Sequence, residues 1–210
     1  EAMSAAYETE VLRAWRGQVD GAHDVWHLRR VWGLAQAIAA VEGGDLAVIE
    51  AACFLHDIVN PPKDSPQRKQ AAALSAAHAS AFLAARGMAP AQVAGVAHAI
   101  EAHSFSGGLT PRTIEAQVVQ DADRLEALGA LGVARCFNVS GQMDAALFHG
   151  GDPMAHDRAL DDRAYALDHF EVKLLRVAQT LNTGTAREMA KGRVDFMLAF
   201  RTPLLAEITL

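Results

Sequence analysis

Apolar residues recur along most of this chain at the spacing of one helix face, and alternating, strand-like stretches are scarce. The pattern predicts a first helix over about residues 4–18. A second runs from about Asp24 to Val41, with Val31, Leu34, Ala35 and Ile38 on one face, and ends at Gly43-Gly44. A third, Leu46 to Asp57, has buried character and is stopped by Asn60-Pro61-Pro62. A polar loop over 60–69 follows, then a helix from Gln70 to Arg86 closed by Gly87. Pro90 suits the first turn of a helix reaching His103, and SFSGGLTPR is a break. The helical pattern resumes near Thr113 and continues, with room for an interruption, to Val139. Residues 149–161 read as loop, and two long helices close the chain near 162–181 and 185–207. No repeat, inter-domain linker or low-complexity tract is evident, so the expectation is one all-α domain.

Three His-Asp dipeptides punctuate this pattern: His23-Asp24, His56-Asp57 and His156-Asp157. Roughly 0.6 is expected by chance from the composition, so context must separate them. His23-Asp24 reads as a helix start, with Asp24 as N-cap or first-turn acid. His156-Asp157 lies in the polar stretch HGGDPMAHDRALDDR, a solvated loop. Only His56-Asp57 ends a helix of buried character, where an unpaired charge is expensive. Adjacent helical residues point about 100° apart, so both reach one ion only if it lies between their directions at the helix end.

His27 in HDVWHLRRV and Asp123 in QDADRLEAL complete a set of two imidazoles and two carboxylates on three separate helices. Mixed nitrogen and hard oxygen donors suit a divalent ion such as Mn, Ni, Co, Fe, Zn or Mg. Asp121 competes with Asp123, because residues two apart on a helix do not face the same way.

The order His27, His56-Asp57, Asp123 resembles the H…HD…D pattern of the HD-domain superfamily of metal-dependent phosphohydrolases. HDVWHLRRV and FLHDIVNPPK resemble the first two motifs of that superfamily. IEAHSFSGG, QDADRLEALGALGVARCF and the tail DHFEVKLLRVAQTLNTGTAREMAKGRVDFMLAF resemble later blocks of one bacterial subfamily. The likeness covers about residues 20–205. It implies a single helical bundle, with core motifs over about 20–130 and a helical C-terminal part over about 131–207. It implies a metal held by His27, His56, Asp57 and Asp123, the Ala122-Asp123-Arg124-Leu125 context favouring Asp123 over Asp121. The implied activity is hydrolysis of a nucleotide or nucleotide-like phosphoester through a metal-activated water, with removal of pyrophosphate from nucleoside triphosphates as the leading case.

A second ring of candidates surrounds this set. Lys63 follows the metal dipeptide in the polar loop, and lysine is a common point-charge binder of phosphate. Arg68, Lys69 and Asp64 share that loop, Asp64 as a general acid or base. Asp57 and His103 are further proton-transfer candidates, His103 through the resemblance of IEAHS, touching substrate phosphate or a second metal. Some relatives carry an acidic residue three positions after the HD pair; here that position is Asn60, which leaves proton transfer unassigned. His23 shares a face with His27 and is either an orienting partner or an exposed histidine. Arg30 and Arg124 are candidates for charge pairing or charge neutralisation. His98 reads as ordinary, and Lys173 and Arg193 as ties between the last helices and the core.

The 210 residues are enough for one sizeable core. A net charge of -6 argues against a duplex nucleic-acid surface, which needs a basic footprint, but not against a small phosphorylated substrate beside a metal. Cys53 and Cys136 sit in apolar helical patterns and read as buried reduced thiols, with no zinc spacing or disulfide framework. No signal peptide and no bilayer-spanning apolar run is evident, so a cytoplasmic location is the expectation. The apolar C-terminal helices are a candidate homodimer surface. Three other functions remain open: a phosphodiesterase for cyclic nucleotides or other diesters, a di-iron oxygenase with His103 as its spare ligand, and a non-catalytic nucleotide sensor.

Overall fold

The computed structural model describes residues 2–17, 24–61, 65–104 and 107–208. Among them regular structure is helical, apart from one isolated bridge between Ala146 and Tyr165. The all-α expectation holds. The chain forms two compact units, Glu1–Asp123 and Arg124–Leu210.

The first unit is built around α3 (Leu46–Leu55), in which Val48, Ile49 and every residue from Ala51 to Leu55 are buried. Such a segment must be covered on all sides. Helices α1 (Ala2–Trp15), α2 (Val25–Glu42), α4 (Ala71–Ala85) and α5 (Pro90–His103) all pack against it. Each buried Ile, Leu or Phe side chain contributes roughly 1.5–3 kcal/mol to this packing.

Local signals set the helix ends. The Asp24 carboxylate accepts from His27 N–H at 2.8 Å and starts α2. Gly43, at φ +86°, ends it while its N–H donates to Ala39 O at 2.8 Å. Asp45 caps α3 by accepting from Ala47 N–H, and Gln92 of α5 donates to the other Asp45 oxygen. At the far end of α3 the chain turns through His56 and Asp57. A short 3-10 turn, Pro66–Gln70, lies within the stretch expected as loop and leads into α4.

The expected long helix after Thr113 is interrupted. Helix α6 (Ile114–Glu126) ends, and α7 (Gly129–Gln142) starts at Gly129, whose φ is +78°. In the second unit Arg193 of α9 (Gly184–Ile208) donates to Leu125 O at 2.8 Å and crowds the Gly129 Cα. Arg193 therefore ties α9 to the C-terminal end of α6 within this unit.

The helix expected over 162–181 is much shorter. A π-helical turn, Phe170–Leu174, leads into α8 (Leu175–Gln179). The reason lies at Asp168, which is buried and bound by both terminal nitrogens of Arg158, at 2.6 and 2.8 Å. Asp168 Oδ2 also accepts from Asp161 N–H at 2.8 Å, so the preceding residues are drawn into a loop instead of a helix. The 149–161 stretch is a loop, as expected, and is tied together internally: Asp152 accepts from the N–H groups of His156 and Asp157. Cys53 and Cys136 are buried free thiols. No helix among the described residues is long and apolar enough to cross a membrane.

Candidate metal centre

Four predicted ligands from three helices meet in the first unit. His27 is on the buried face of α2, beside Leu28 and Val31. His56 caps the C-terminus of α3, and Asp57 follows it. Asp123 reaches the same point from α6. His27 Nε2 lies 3.4 Å from Asp123 Oδ1. His56 Nε2 lies 3.3 Å from Asp57 Oδ2 and 3.6 Å from Asp123 Oδ1.

His103, the last residue of α5, joins them. Its Nε2 is 3.6 Å from Asp57 Oδ1, and its ring stands edge-on to that of His56 at 4.7 Å between centroids. Asp121 is fully buried two residues from Asp123 and belongs to neither of the two His/Asp groups.

The donors are layered by exposure. The imidazoles of His27 and His56 are 2% and 0% exposed, whereas the carboxylates of Asp57 and Asp123 are 24% and 25% exposed. The histidines form a floor and the carboxylates a rim open to ligand.

Backbone carbonyls fix which nitrogen faces the centre. His56 Nδ1 is 2.8 Å from Cys53 O, and His103 Nδ1 is bonded to Ile100 O. A carbonyl only accepts, so each Nδ1 carries a proton and each ring turns its Nε2 toward the centre. The buried His56 Nε2 forms no aligned hydrogen bond. An orphaned lone pair in a dry floor is costly unless a cation or proton meets it.

Electrostatics agree. Burial by itself pushes the His56 imidazole down, but the Asp57 and Asp123 charges outweigh it and hold it well above its usual value. Burial likewise pushes Asp57 and Asp123 up. The facing histidines outweigh that, His56 and His103 for Asp57 and His27 and His56 for Asp123, and hold both carboxyls well below the usual range. The cluster thus favours positive charge between its carboxylates.

The spacing fits a shared ion too. Donors about 2.1 Å from a metal are about 3.0 Å apart in an octahedron and about 3.4 Å in a tetrahedron, close to the 3.3–3.6 Å separations here.

Supports beyond the cluster left no trace in the sequence pattern. Trp15 Nε1 of α1 donates to Asp57 O at 3.1 Å. The buried Ser75 hydroxyl of α4 accepts from Val59 N–H at 3.1 Å and donates to Val59 O at 3.3 Å. Gln120 of α6 donates to Ala102 O at 2.7 Å, beside His103.

The other candidates are distributed as follows. Arg68 donates to Asn60 Oδ1 at 2.9 Å and to Pro61 O at 3.0 Å. Arg124 donates to Thr180 O and Oγ1. His98 Nε2 accepts from Arg112 N–H at 2.9 Å, and burial, aided by Arg112, pushes its imidazole down. His23, Lys63 and Asp64 lie outside the described residues.

Residues 25–128 match the HD domain family. YpgQ of Bacillus subtilis (strain 168) is 35% identical over 214 residues, covering 98% of this chain and 96% of YpgQ. The chain is a member of the HD-domain phosphohydrolase superfamily. Its fold agrees. The crystal structure of B. subtilis YpgQ in complex with ADP superposes with a TM-score of 0.75 at 33% identity, covering 98% of this chain and 97% of that one. An HD-superfamily hydrolase from Bacillus thuringiensis superposes with a TM-score of 0.73 at 28% identity, covering 98% and 96%.

Proposed function

We propose that this HD-domain protein is a divalent-metal-dependent phosphohydrolase that acts on nucleotides and releases pyrophosphate from nucleoside triphosphates. The observation that carries the reading is the convergence of His27, His56, Asp57 and Asp123, with the buried His56 Nε2 left without an aligned hydrogen bond at its floor. The ADP bound by the similar YpgQ supports a nucleotide as ligand.

His27, His56, Asp57 and Asp123 would hold the ion. A divalent cation supplies Lewis-acid polarisation of a phosphoryl oxygen and acidification of water when bound there. The carboxylates of Asp57 and Asp123 would balance its charge, and they are the more exposed donors of the set. The buried imidazoles keep water out of the floor. His103 presents Nε2 toward the Asp57 rim, where it can take a proton from the attacking water and return it to the departing oxygen, while its Nδ1–H stays on Ile100 O. Asp57 is the other described group placed to move that proton.

Product analysis tests this reading. Metal-stripped protein is given Mn, Co, Ni, Zn or Mg separately and incubated with nucleoside mono-, di- and triphosphates and cyclic nucleotides. Pyrophosphate plus monophosphate, lost in Asp57→Ala, is the expected result. Opening of cyclic substrates alone would assign a phosphodiesterase, and nucleotide binding without turnover would assign a sensor.

A further inference from the structure

The chain leaving the centre is anchored twice. Ser75 holds both backbone groups of Val59. One residue later, Arg68 reaches back from the Pro66–Gln70 turn and uses the single nitrogen Nη1 to bond Asn60 Oδ1 and Pro61 O. Those two bonds occupy one corner of the guanidinium. The Nε–Nη2 edge, which can grip two phosphate oxygens side by side, takes no part in them. Arg68 is exposed. Asn60 is three residues beyond Asp57, at most about 11 Å away along the chain.

Charge gives this arrangement a use. Asp57 and Asp123 together would neutralise a divalent ion, so a polyphosphate chain arriving at the centre would need cations from elsewhere. The partner of Arg68 is an amide, not a carboxylate. A carboxylate at residue 60 would position the guanidinium equally well but would cancel its charge; the Asn60 amide positions it and leaves the charge intact for an anion.

We propose that Arg68, held in place by Asn60, is a phosphate-binding residue that receives the polyphosphate end of the substrate. This inference rests on the nucleotide phosphohydrolase reading above. Asn60 is a positioning residue and Arg68 the contact.

The test compares wild type with Arg68→Gln and Asn60→Asp. Calorimetric binding of ADP and of inorganic pyrophosphate to Mn-loaded protein is read beside thermal stability and the KM and kcat for a nucleoside triphosphate. Arg68→Gln is expected to weaken pyrophosphate binding and raise KM by roughly tenfold or more, since a charge-assisted bidentate contact is lost. Asn60→Asp is the deciding variant. It keeps or strengthens the bond to Arg68 but also adds a negative charge near the centre, so it is read against the Arg68→Gln/Asn60→Asp double variant. A charge effect that bypasses Arg68 predicts the same loss of pyrophosphate binding from Asn60→Asp whether or not Arg68 is present, and overturns the inference. Phosphate binding by Arg68 predicts unchanged or higher stability in Asn60→Asp, with weaker pyrophosphate binding and a raised KM, and a much smaller further loss when Arg68 is already replaced. Wild-type-like binding in Asn60→Asp and Arg68→Gln overturns this inference alone. Failure of wild type to bind or hydrolyse any nucleotide overturns the functional reading and the inference with it.

Discussion

Ser75→Ala tests how the fold holds the His56-Asp57 pair. The Ser75 side chain is fully buried on α4, and its hydroxyl both accepts from Val59 N–H and donates to Val59 O, at 3.1 and 3.3 Å. Alanine removes both bonds and adds no alternative partner. Each bond contributes about 0.5–1.5 kcal/mol net, so the loss comes to about 2 kcal/mol. In a protein of this size that lowers Tm by about 4–8 °C. The effect must also reach the centre, because Val59 is two residues beyond Asp57. Ser75 bonds Val59 and not a ligand, and Asp57 keeps its backbone bond from Trp15, so the expected drop in Mn affinity is smaller than the roughly 10–100-fold typical of losing a group bonded directly to a ligand. Calorimetric melting of the metal-free protein and Mn titration measure the two effects separately. A Tm within about 1 °C of wild type together with unaltered Mn affinity would show that the turn after Asp57 holds itself, and the reasoning would fail.

Other predictions concern stability and pH. Gly132→Ala would put a Cβ 2.2 Å from Ala127 O, a clash with backbone; a loss of about 3 kcal/mol is expected by chemical denaturation, and a wild-type midpoint would refute it. Arg158→Met strands the buried Asp168 carboxylate, which burial pushes up and which Arg158, the Asp161 N–H and His149 together hold below its usual value. A loss of about 3 kcal/mol follows, and a smaller loss at acid pH, where Asp168 protonates, distinguishes this cause from lost packing. In the metal-free protein the raised His56 value makes its contribution complete below about 6.5 and lost as pH climbs through the folded value. The lowered Asp57 and Asp123 values give contributions present above about 3.8 and lost as pH falls through their folded values. A cation competes with the His56 proton, so Mn affinity should rise about tenfold per pH unit until that folded value is passed, and a flat profile between pH 6 and 7 would contradict this.

Much of the centre is legible in the sequence because a charge at the end of a buried helix stands out. His56-Asp57 closes the apolar run of α3, and His27 interrupts the apolar face of α2. The choice between Asp121 and Asp123 was not decided by spacing, since both fit a helical pattern. It depends on how α6 is rotated, which tertiary packing sets. Trp15, Ser75 and Gln120 act across long stretches of chain, where no periodicity records a contact. The shortened helix near 162–181 has the same origin. Its local pattern is helical, but the Arg158–Asp168 ion pair and the π-helical turn at Phe170 override local preference. The interruption of the helix after Thr113 could be read only as an allowance, because it depends on Gly129 adopting a positive φ beneath Arg193.

The proposed function requires His27, His56, Asp57 and Asp123 to hold a divalent ion that hydrolysis needs. Equilibrium dialysis of metal-stripped wild type and Asp123→Asn against Mn, with nucleoside triphosphate turnover followed on the same samples, tests it directly. Stoichiometric Mn binding and turnover are expected in wild type, both lost together in a folded Asp123→Asn protein. Equal Mn binding by the two proteins, or full turnover by stripped protein in the presence of a chelator, would contradict it.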